Sequence, residues 1–283
     1  MSGLACISVD LLGLPALCRH HSIPESSLPP AGFRAVGLRA PERFAELLDR
    51  RGLPATFFAG ADDLEDRASA AAIGDLPRLG HELALLGPPL AGLPPVSIAA
   101  ALRTGGDALE AVAGRRPTGF RAVDGELDTA LLEELEVQGF LYDSSIRSGL
   151  RASGAPYRPS PRDPLRPGSA KLVELPSGTA ILPGVPLTGT LLASSPKSLA
   201  AVAFRMVRAR GFVALHLQGV DLLDESDGFG HVLAAKARSY AIPASAKRQR
   251  IDEFLEWLRD AFEVVTLEEA ARRLAPRLGE PIG

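Results

Sequence analysis

The alternation of short apolar runs with amphipathic segments constrains the fold of this chain more than any other feature. ACISVD at residues 5–10 and FVALHLQ at residues 212–218 are short, apolar and rich in β-forming residues, which is typical of buried strands. PERFAELLDRRG at residues 41–52 and DTALLEELEVQG at residues 128–139 show helical periodicity and end in glycine. Because about seven such strands alternate with helices, the sequence predicts βαβ units and an α/β fold with a parallel sheet, closed or open.

Three long connections interrupt this alternation, and we expect them to be irregular. They cover residues 14–40, 147–170 and 219–245, and each follows a predicted strand. Parallel-sheet enzymes place their chemistry in the loops that follow strands, so these connections are where function is expected. We expect a single domain over residues 1–283.

Charge and composition exclude several classes of protein. The formal net charge is −3 and the lysines and arginines are scattered, which argues against nucleic acid or an anionic membrane surface as partner. No stretch approaches about eighteen unbroken apolar residues, so no membrane span is expected. Cys6 and Cys18 cannot form a disulfide framework, and no secretion signal is visible. We therefore expect a cytoplasmic protein.

The ordered series of segments resembles the polysaccharide deacetylases with the NodB-homology domain, which are carbohydrate esterases of family 4. SVDLLG resembles the first family motif, in which a strand ends in two acids, and RRPTGFRAVDG resembles the arginine segment. The other matching segments are LPATFFAGADDLED, GHELALLG, GFLYDSS, LVELP and ALHLQGVDLLDESDGF. The resemblance covers residues 5–271. It implies a distorted (β/α) barrel of about seven parallel strands and an ancestor that hydrolysed N-acetyl groups with a divalent metal.

Leucines occupy the positions of the metal ligands that the resemblance implies. The ligand acid falls at Leu11 or Leu12, and the histidine pair falls at Leu86 and Leu90. Such a site needs one carboxylate and two imidazoles, and leucine has no lone pair to offer. We therefore predict a degenerate member with no metal site and no other cofactor.

The resemblance also assigns possible catalytic roles to residues that remain. Asp10 is the counterpart of the general base, and Arg121 is the residue that orients it; the same pair can also persist as a purely structural ion pair. The catalytic histidine of the family aligns most naturally with Gln218, which cannot titrate. In a shifted register His216 is the acid instead, and residues 216 and 218 face the same side of a strand.

Several further polar residues are candidates for binding a ligand. His21 precedes SIP at the place where some relatives carry a histidine before a similar turn, and His20 lies beside it. Gln218 and Asp221 come from the last motif, and Asp124 follows the arginine segment. Each of the loop residues can equally be an exposed or capping side chain.

Three hypotheses of function follow. In the first, the protein is a non-catalytic binder of a sugar, an N-acyl compound or a protein partner through the old cleft. In the second, it hydrolyses an amide or ester bond without metal, using Asp10 with His216 or His21. In the third, it is an interaction protein whose Arg- and Pro-rich connection at residues 147–170 contacts an assembly. The leucines at the ligand positions favour the first.

Overall fold

A curled parallel sheet forms the centre of the computed structural model, which describes residues 3–148, 154–228, 233, 235 and 238–278. The strands are β1 (Leu4–Asp10), β2 (Thr56–Ala59), β3 (Glu82–Gly87), β4 (Gly119–Ala122), β5 (Tyr142–Asp143), β6 (Pro159–Ser160), β7 (Asp163–Pro167), β8 (Val173–Glu174), β9 (Ala180–Leu182), β10 (Val185–Pro186), β11 (Phe212–Gln218) and β12 (Glu263–Val265). The central sheet has the order β11-β1-β2-β3-β4-β5-β8, with β12 also paired to β1. All its pairs are parallel, so the predicted α/β fold and distorted barrel are confirmed.

Helices connect these strands. They are α1 (Leu14–His20), α2 (Ala35–Asp49), α3 (Arg67–Gly74), α4 (Pro95–Ala113), α5 (Thr129–Val137), α6 (Gly189–Ser194), α7 (Lys197–Val207), α8 (Ala244–Ala261) and α9 (Leu267–Leu274). Helix α5 begins where Asp128 accepts a hydrogen bond from the Leu131 amide at 2.8 Å, as its sequence predicts. Among the described residues, no helix has both the length and the apolar character needed to cross a membrane.

The main core lies between the sheet and the helices that surround it. On α2, the predicted apolar face of Phe44, Leu47 and Leu48 is fully buried. Phe44 packs edge-on against Phe57 of β2, with ring centroids 6.4 Å apart. Burying each of these side chains contributes about 1.5–3 kcal/mol, so this contact fixes α2 against the sheet.

Register places the carboxyl ends of neighbouring strands side by side. Asp10, the last residue of β1, is the register partner of Gln218 on β11 and of Phe58 on β2. Strands β3 and β4 continue this edge, where Leu86 is the partner of Arg121. Side chains from β1, β3, β4 and β11 therefore meet at one mouth of the curled sheet.

The first long connection is more ordered than the sequence predicts. Residues 14–40 contain α1, and α2 begins at Ala35 rather than at Pro41, which lies inside the helix. Proline lacks the amide hydrogen that would bond to the carbonyl of Gly37, so its presence suggested a helix start. The structure keeps the helix through Pro41 because Ala35, Val36 and Ala40 are buried against the core.

The other two long connections also contain short regular elements. Residues 149–153 of the second, and 229–232, 234, 236 and 237 of the third, lie outside the described residues. The described part of the second connection forms the antiparallel hairpin β6–β7. The hairpin β9–β10 and helix α6, which the sequence did not indicate, follow β8 and lead the chain back to the mouth of the sheet.

Candidate functional site

Three side chains from separate strands meet at the mouth of the sheet. Asp10 ends β1, Arg121 lies on β4 and His216 lies on β11. Arg121 Nη1 donates a hydrogen bond to Asp10 Oδ1 at 2.5 Å, and His216 Nε2 lies 2.8 Å from Asp10 Oδ2. The carboxylate is therefore held from both oxygens, and the three residues that the sequence analysis named as catalytic candidates form one network.

The guanidinium of Arg121 is fixed on every side. It donates to Ser8 Oγ from both terminal nitrogens at 3.1 Å, and to Ser144 Oγ at 2.8 Å. Its Nε donates to the Ser144 carbonyl at 3.0 Å, and the Phe58 ring lies 4.0 Å from its Cζ. A planar donor held this way cannot follow a moving substrate, so Arg121 positions Asp10.

Asp10 stays ionised in this network. Burial alone would raise the pKa of its carboxyl, but the nearby Arg121 guanidinium and His216 imidazole outweigh that effect and lower the pKa to about 2. The His216 side chain is 15% exposed and opens into the cleft, whereas the Asp10 side chain is 11% exposed. His216, unlike Asp10, is among the residues that line the cavity, so the imidazole is the part of this pair that a ligand in the cavity would meet.

The residues at the implied metal site do not fit a divalent ion. Leu12, Leu86 and Leu90 line the cleft at the ends of the strands, and Leu11 is fully buried in the core. Across the ranges 3–148, 154–228 and 238–278, no group of three or more His, Cys, Asp or Glu side chains is arranged to hold a metal. Aliphatic groups offer no electron pair to a cation, so these leucines cannot serve as metal ligands.

A cavity of about 1170 Å³ covers this mouth. Four of the sequence-predicted residues line it: His216, Gln218, Asp221 and Asp124. Asp124 accepts a hydrogen bond from the Glu126 amide at 3.2 Å, so part of its capacity is used in its own turn. This volume is somewhat larger than the roughly 300–1,000 Å³ of typical small-molecule sites, so the cavity has room for a small molecule or for sugar units.

Gln218 and His216 face the cavity together, but they differ in their partners. Gln218 is the register partner of Asp10. His216 lies two residues nearer the amino end of β11, where it is the register partner of Ser8. Nevertheless the imidazole of His216, not the amide of Gln218, contacts the Asp10 carboxylate. The structure therefore gives His216 the contact that the sequence left open between the two positions.

Asp221 supports the exit from β11. Its Oδ2 accepts the Gln218 amide hydrogen at 2.8 Å, and burial raises the pKa of its carboxyl to about 6. Gly189 of α6 approaches so closely that a Cβ there would lie 1.9 Å from Asp221 Oδ2. Asp221 therefore shapes the loop in addition to lining the cavity.

The two histidines of the first connection lie apart from this network. His21 Nε2 lies 3.3 Å from the Tyr240 hydroxyl, and the two rings meet edge-on. His21 is not among the described residues that line the cavity. The side chain of His20 lies outside the part of the structure that is described. A binding role for either histidine stays a prediction.

Sequence reasoning did not single out Asp63, which also lines the cavity. It lies on the short 3₁₀ turn Asp62–Leu64 after β2. Burial raises the pKa of its carboxyl to about 7, against a partial lowering by the Gly60 amide. The acid pair in GADD, after the carboxyl end of a strand, is the signal that could have indicated it.

Known structures with similar folds are numerous, whereas sequence comparison finds no match among protein families or curated proteins. A Mycobacterium smegmatis protein assigned as a polysaccharide deacetylase matches with a TM-score of 0.66 and 22% identity, over 99% of this chain and 92% of that chain. The Puue allantoinase matches with a TM-score of 0.61 and 13% identity, over 96% of this chain and 90% of that chain.

A third similar structure is a pseudoenzyme. BA3943 of Bacillus anthracis, a carbohydrate esterase family 4 pseudoenzyme, matches with a TM-score of 0.52 and 12% identity, over 95% of this chain and 66% of that chain. At these identities the likeness establishes architecture. Together with the parallel sheet and the position of its mouth, it confirms at the level of the fold what the motifs indicate: the chain has the fold of the family 4 polysaccharide deacetylases.

Proposed function

We propose that the protein is a non-catalytic member of this fold that binds a sugar or an N-acyl compound in the cavity at the mouth of the sheet. The observation that carries the proposal is the apolar lining by Leu12, Leu86 and Leu90 at the implied metal site. Cys6 and Cys18 are both free and buried, which suits the reducing cytoplasm that the proposal assumes.

The polar residues around this apolar floor suit a polyhydroxylated ligand. Gln218, Thr188, Thr190 and Ser177 line the cavity and offer both donors and acceptors. An apolar floor with a few convergent polar groups is the usual composition of a small-ligand site. The methyl of an acetyl group would pack on the leucines while sugar hydroxyls reach the polar rim.

The electrostatics of Asp10 also support binding over hydrolysis. A general base works best when its pKa lies near the working pH. Arg121 and His216 outweigh the effect of burial and lower the pKa of Asp10 to about 2, so its carboxylate has little tendency to take a proton from water. Without a metal to acidify that water, the network is better suited to holding the mouth of the sheet together.

A second candidate function rests on one specific contact. His216 lines the cavity, and its Nε2 lies 2.8 Å from Asp10 Oδ2. The contact with Asp10 could orient the imidazole for acid–base catalysis. In this alternative the protein is a metal-independent hydrolase of a non-peptide amide or an ester bond. The similar fold of the Puue allantoinase is compatible with it.

Two measurements on the purified full chain test the proposal. Elemental analysis after dialysis is expected to find far less than one zinc, cobalt or nickel ion per chain. Assays with N-acetylated sugars and with aryl esters are expected to show the same background turnover for the wild type and for Asp10→Ala. A full equivalent of metal contradicts the loss of the site, and turnover that depends on Asp10 replaces the binder with the hydrolase.

A further inference from the structure

Asp63 projects a carboxyl group into the cavity from the end of β2. Its Oδ2 accepts the amide hydrogen of Gly60 at 2.9 Å, which fixes the orientation of the group. No described residue makes a hydrogen bond or an ion pair with Oδ1, the second oxygen. Asp63 is partly buried and lines the cavity, so a molecule bound in the cavity can reach its carboxyl group.

Two glycines allow the backbone to come close to this carboxyl. A Cβ at Gly13, just after β1, would lie 3.4 Å from Asp63 Oδ1, and one at Gly60 would lie 3.3 Å from Oδ2. The same Cβ at Gly60 would also lie 3.3 Å from the carbonyl oxygen of Leu86 on β3. Asp63 therefore lies near the ends of β1 and β2, and it lines the same cavity as the leucines at the implied ligand positions.

Burial is the first cause that raises the pKa of Asp63 to about 7, and the neighbouring Asp62 adds to it. The other titratable or charged side chains around the cavity are Asp62, Glu65 and Asp66 on the same connection, with Arg34 paired to Asp66 at 3.0 Å. Arg19 on α1 is paired to Glu25, and Asp124, Arg147, His216 and Asp221 lie on later strands and loops. No described cation forms an ion pair with Asp63, and the one contact that favours its ionised form, the Gly60 amide, is outweighed by burial.

We propose that Asp63 donates a hydrogen bond from Oδ1 to the carbonyl oxygen of an acyl group bound over Leu12 and Leu86. This inference rests on the proposed function and narrows its ligand to compounds that carry an acyl carbonyl. A carboxylic acid is a strong donor in an apolar site, where a hydrogen bond is worth more than in water. Asp63 thus supplies, as a neutral donor, a contact to the carbonyl at the place where the leucines leave no polar group.

The test compares wild type, Asp63→Ala and Asp63→Asn, with Asp62→Asn as matched control on the exposed neighbour. Binding of a three-unit N-acetylglucosamine oligomer is measured by calorimetry at pH 6 and pH 8. We expect the wild type to bind about tenfold more weakly at pH 8, because a carboxyl with a pKa of about 7 is then about nine-tenths ionised. Asp62→Asn should keep this pH dependence, with a midpoint slightly below that of the wild type, because the Asp62 charge is the smaller of the two causes that raise the pKa of Asp63.

The two Asp63 variants separate donation from charge. The amide of Asp63→Asn keeps a donor that does not titrate, so its affinity should be equal at both pH values and close to that of the wild type at pH 6. Asp63→Ala should bind about tenfold more weakly than the wild type at pH 6, the loss of one well-placed hydrogen bond. Asp221 and His216 remain in both variants, so a pH effect that survives in Asp63→Asn belongs to them and overturns the inference.

A separate measurement decides the matter if the oligomer does not bind. Failure of the oligomer to bind contradicts the sugar-binding part of the proposed function. Carbon NMR of the aspartate carboxyls then tests Asp63 as a donor directly, with acetamide as the smallest acyl probe. A signal that disappears in Asp63→Asn, titrates with a midpoint near 7 and shifts on addition of acetamide at pH 6 supports the inference. A carboxyl that is already ionised at pH 6, or that does not respond to acetamide, overturns it.

Discussion

At the scale of single residues, one network can be either a catalytic remnant or a structural clamp. The side chains of Asp10 and Arg121 are 11% and 4% exposed. Removing one partner of such a pair leaves a buried charge, which costs about 3–5 kcal/mol. That penalty alone is enough to explain why both residues are present beside leucines at the implied ligand positions.

The stability of Asp10→Asn tests this structural role. The pKa of Asp10 is lowered, so its ionised form stabilises the folded state above the unfolded pKa of about 4, and this contribution is lost as the pH falls through about 2. We expect the variant to lose about 2–3 kcal/mol of unfolding free energy at pH 7 and roughly half as much at pH 3. Urea unfolding followed by circular dichroism measures both values.

Asp124→Asn is the matched control for this substitution. Asp124 lies at the same mouth, but its only hydrogen bond among the described residues comes from the Glu126 amide. The unfolding free energy of Asp124→Asn should stay within about 0.5 kcal/mol of that of the wild type. An equal loss for Asp10→Asn at pH 7 and pH 3 would show that shape, rather than charge, explains the effect.

Some residues of the site could be predicted from the sequence and others could not. Asp10, Arg121 and His216 could be predicted as neighbours because each lies at or near the carboxyl end of a strand in one parallel sheet. The choice between His216 and Gln218 could not, because both face the same side and only side-chain placement decides which contacts Asp10. Asp63 was missed because the acid pair in GADD marks only its position, whereas the burial of its carboxyl and the close approach of Gly13 depend on the folded chain.

At the scale of elements, the strands of the central sheet and the long amphipathic helices were predictable, whereas helices α1 and α6 were not. Helix α1 has seven residues and α6 has six, too few for a clear apolar period. Each is defined by tertiary contacts instead: Leu14 and Cys18 of α1 and Leu192 of α6 are buried in the core.

The close contact between α6 and the end of β11 yields an element-scale prediction. In Gly189→Ala the new methyl group would lie 1.9 Å from Asp221 Oδ2, so Asp221 must move and release the Gln218 amide. Overpacking of this kind costs about 1–3 kcal/mol. We expect a loss of that size in unfolding free energy, measured by urea unfolding.

Gly211→Ala provides the control, since a Cβ at Gly211 would meet no atom within 4 Å. It should change the unfolding free energy by less than about 0.5 kcal/mol. If Gly189→Ala is as stable as Gly211→Ala, then α6 does not fix the position of Asp221, and the loop after β11 is held by other contacts.

At the scale of the whole molecule, the parallel sheet buries an unusual number of acids. Glu82 accepts hydrogen bonds from Thr56 at 2.7 Å and Tyr142 at 2.6 Å, and burial raises its pKa. Asp143 and Glu174 are register partners on β5 and β8. Burial and then the charge of Asp143 raise the pKa of Glu174 well above its usual range. With Asp63 and Asp221, at about 7 and 6, five carboxyls hold protons more tightly when folded.

These acids set the pH dependence of stability. Above about pH 4.5 the unfolded chain releases protons that the folded chain retains, so each raised pKa lowers the unfolding free energy as the pH rises toward 7. His81 and Lys247 act in the opposite direction, because burial lowers the pKa of each, to about 8 for Lys247, but they are two groups against five.

We expect the unfolding free energy to be about 2 kcal/mol or more lower at pH 8 than at pH 5, measured by urea unfolding. In Glu174→Gln this difference should shrink, because the amide cannot titrate while it keeps an acceptor for the Ile146 amide. A wild type more stable at pH 8 than at pH 5 would mean that these carboxyls are ionised in the folded protein and that other cations compensate them.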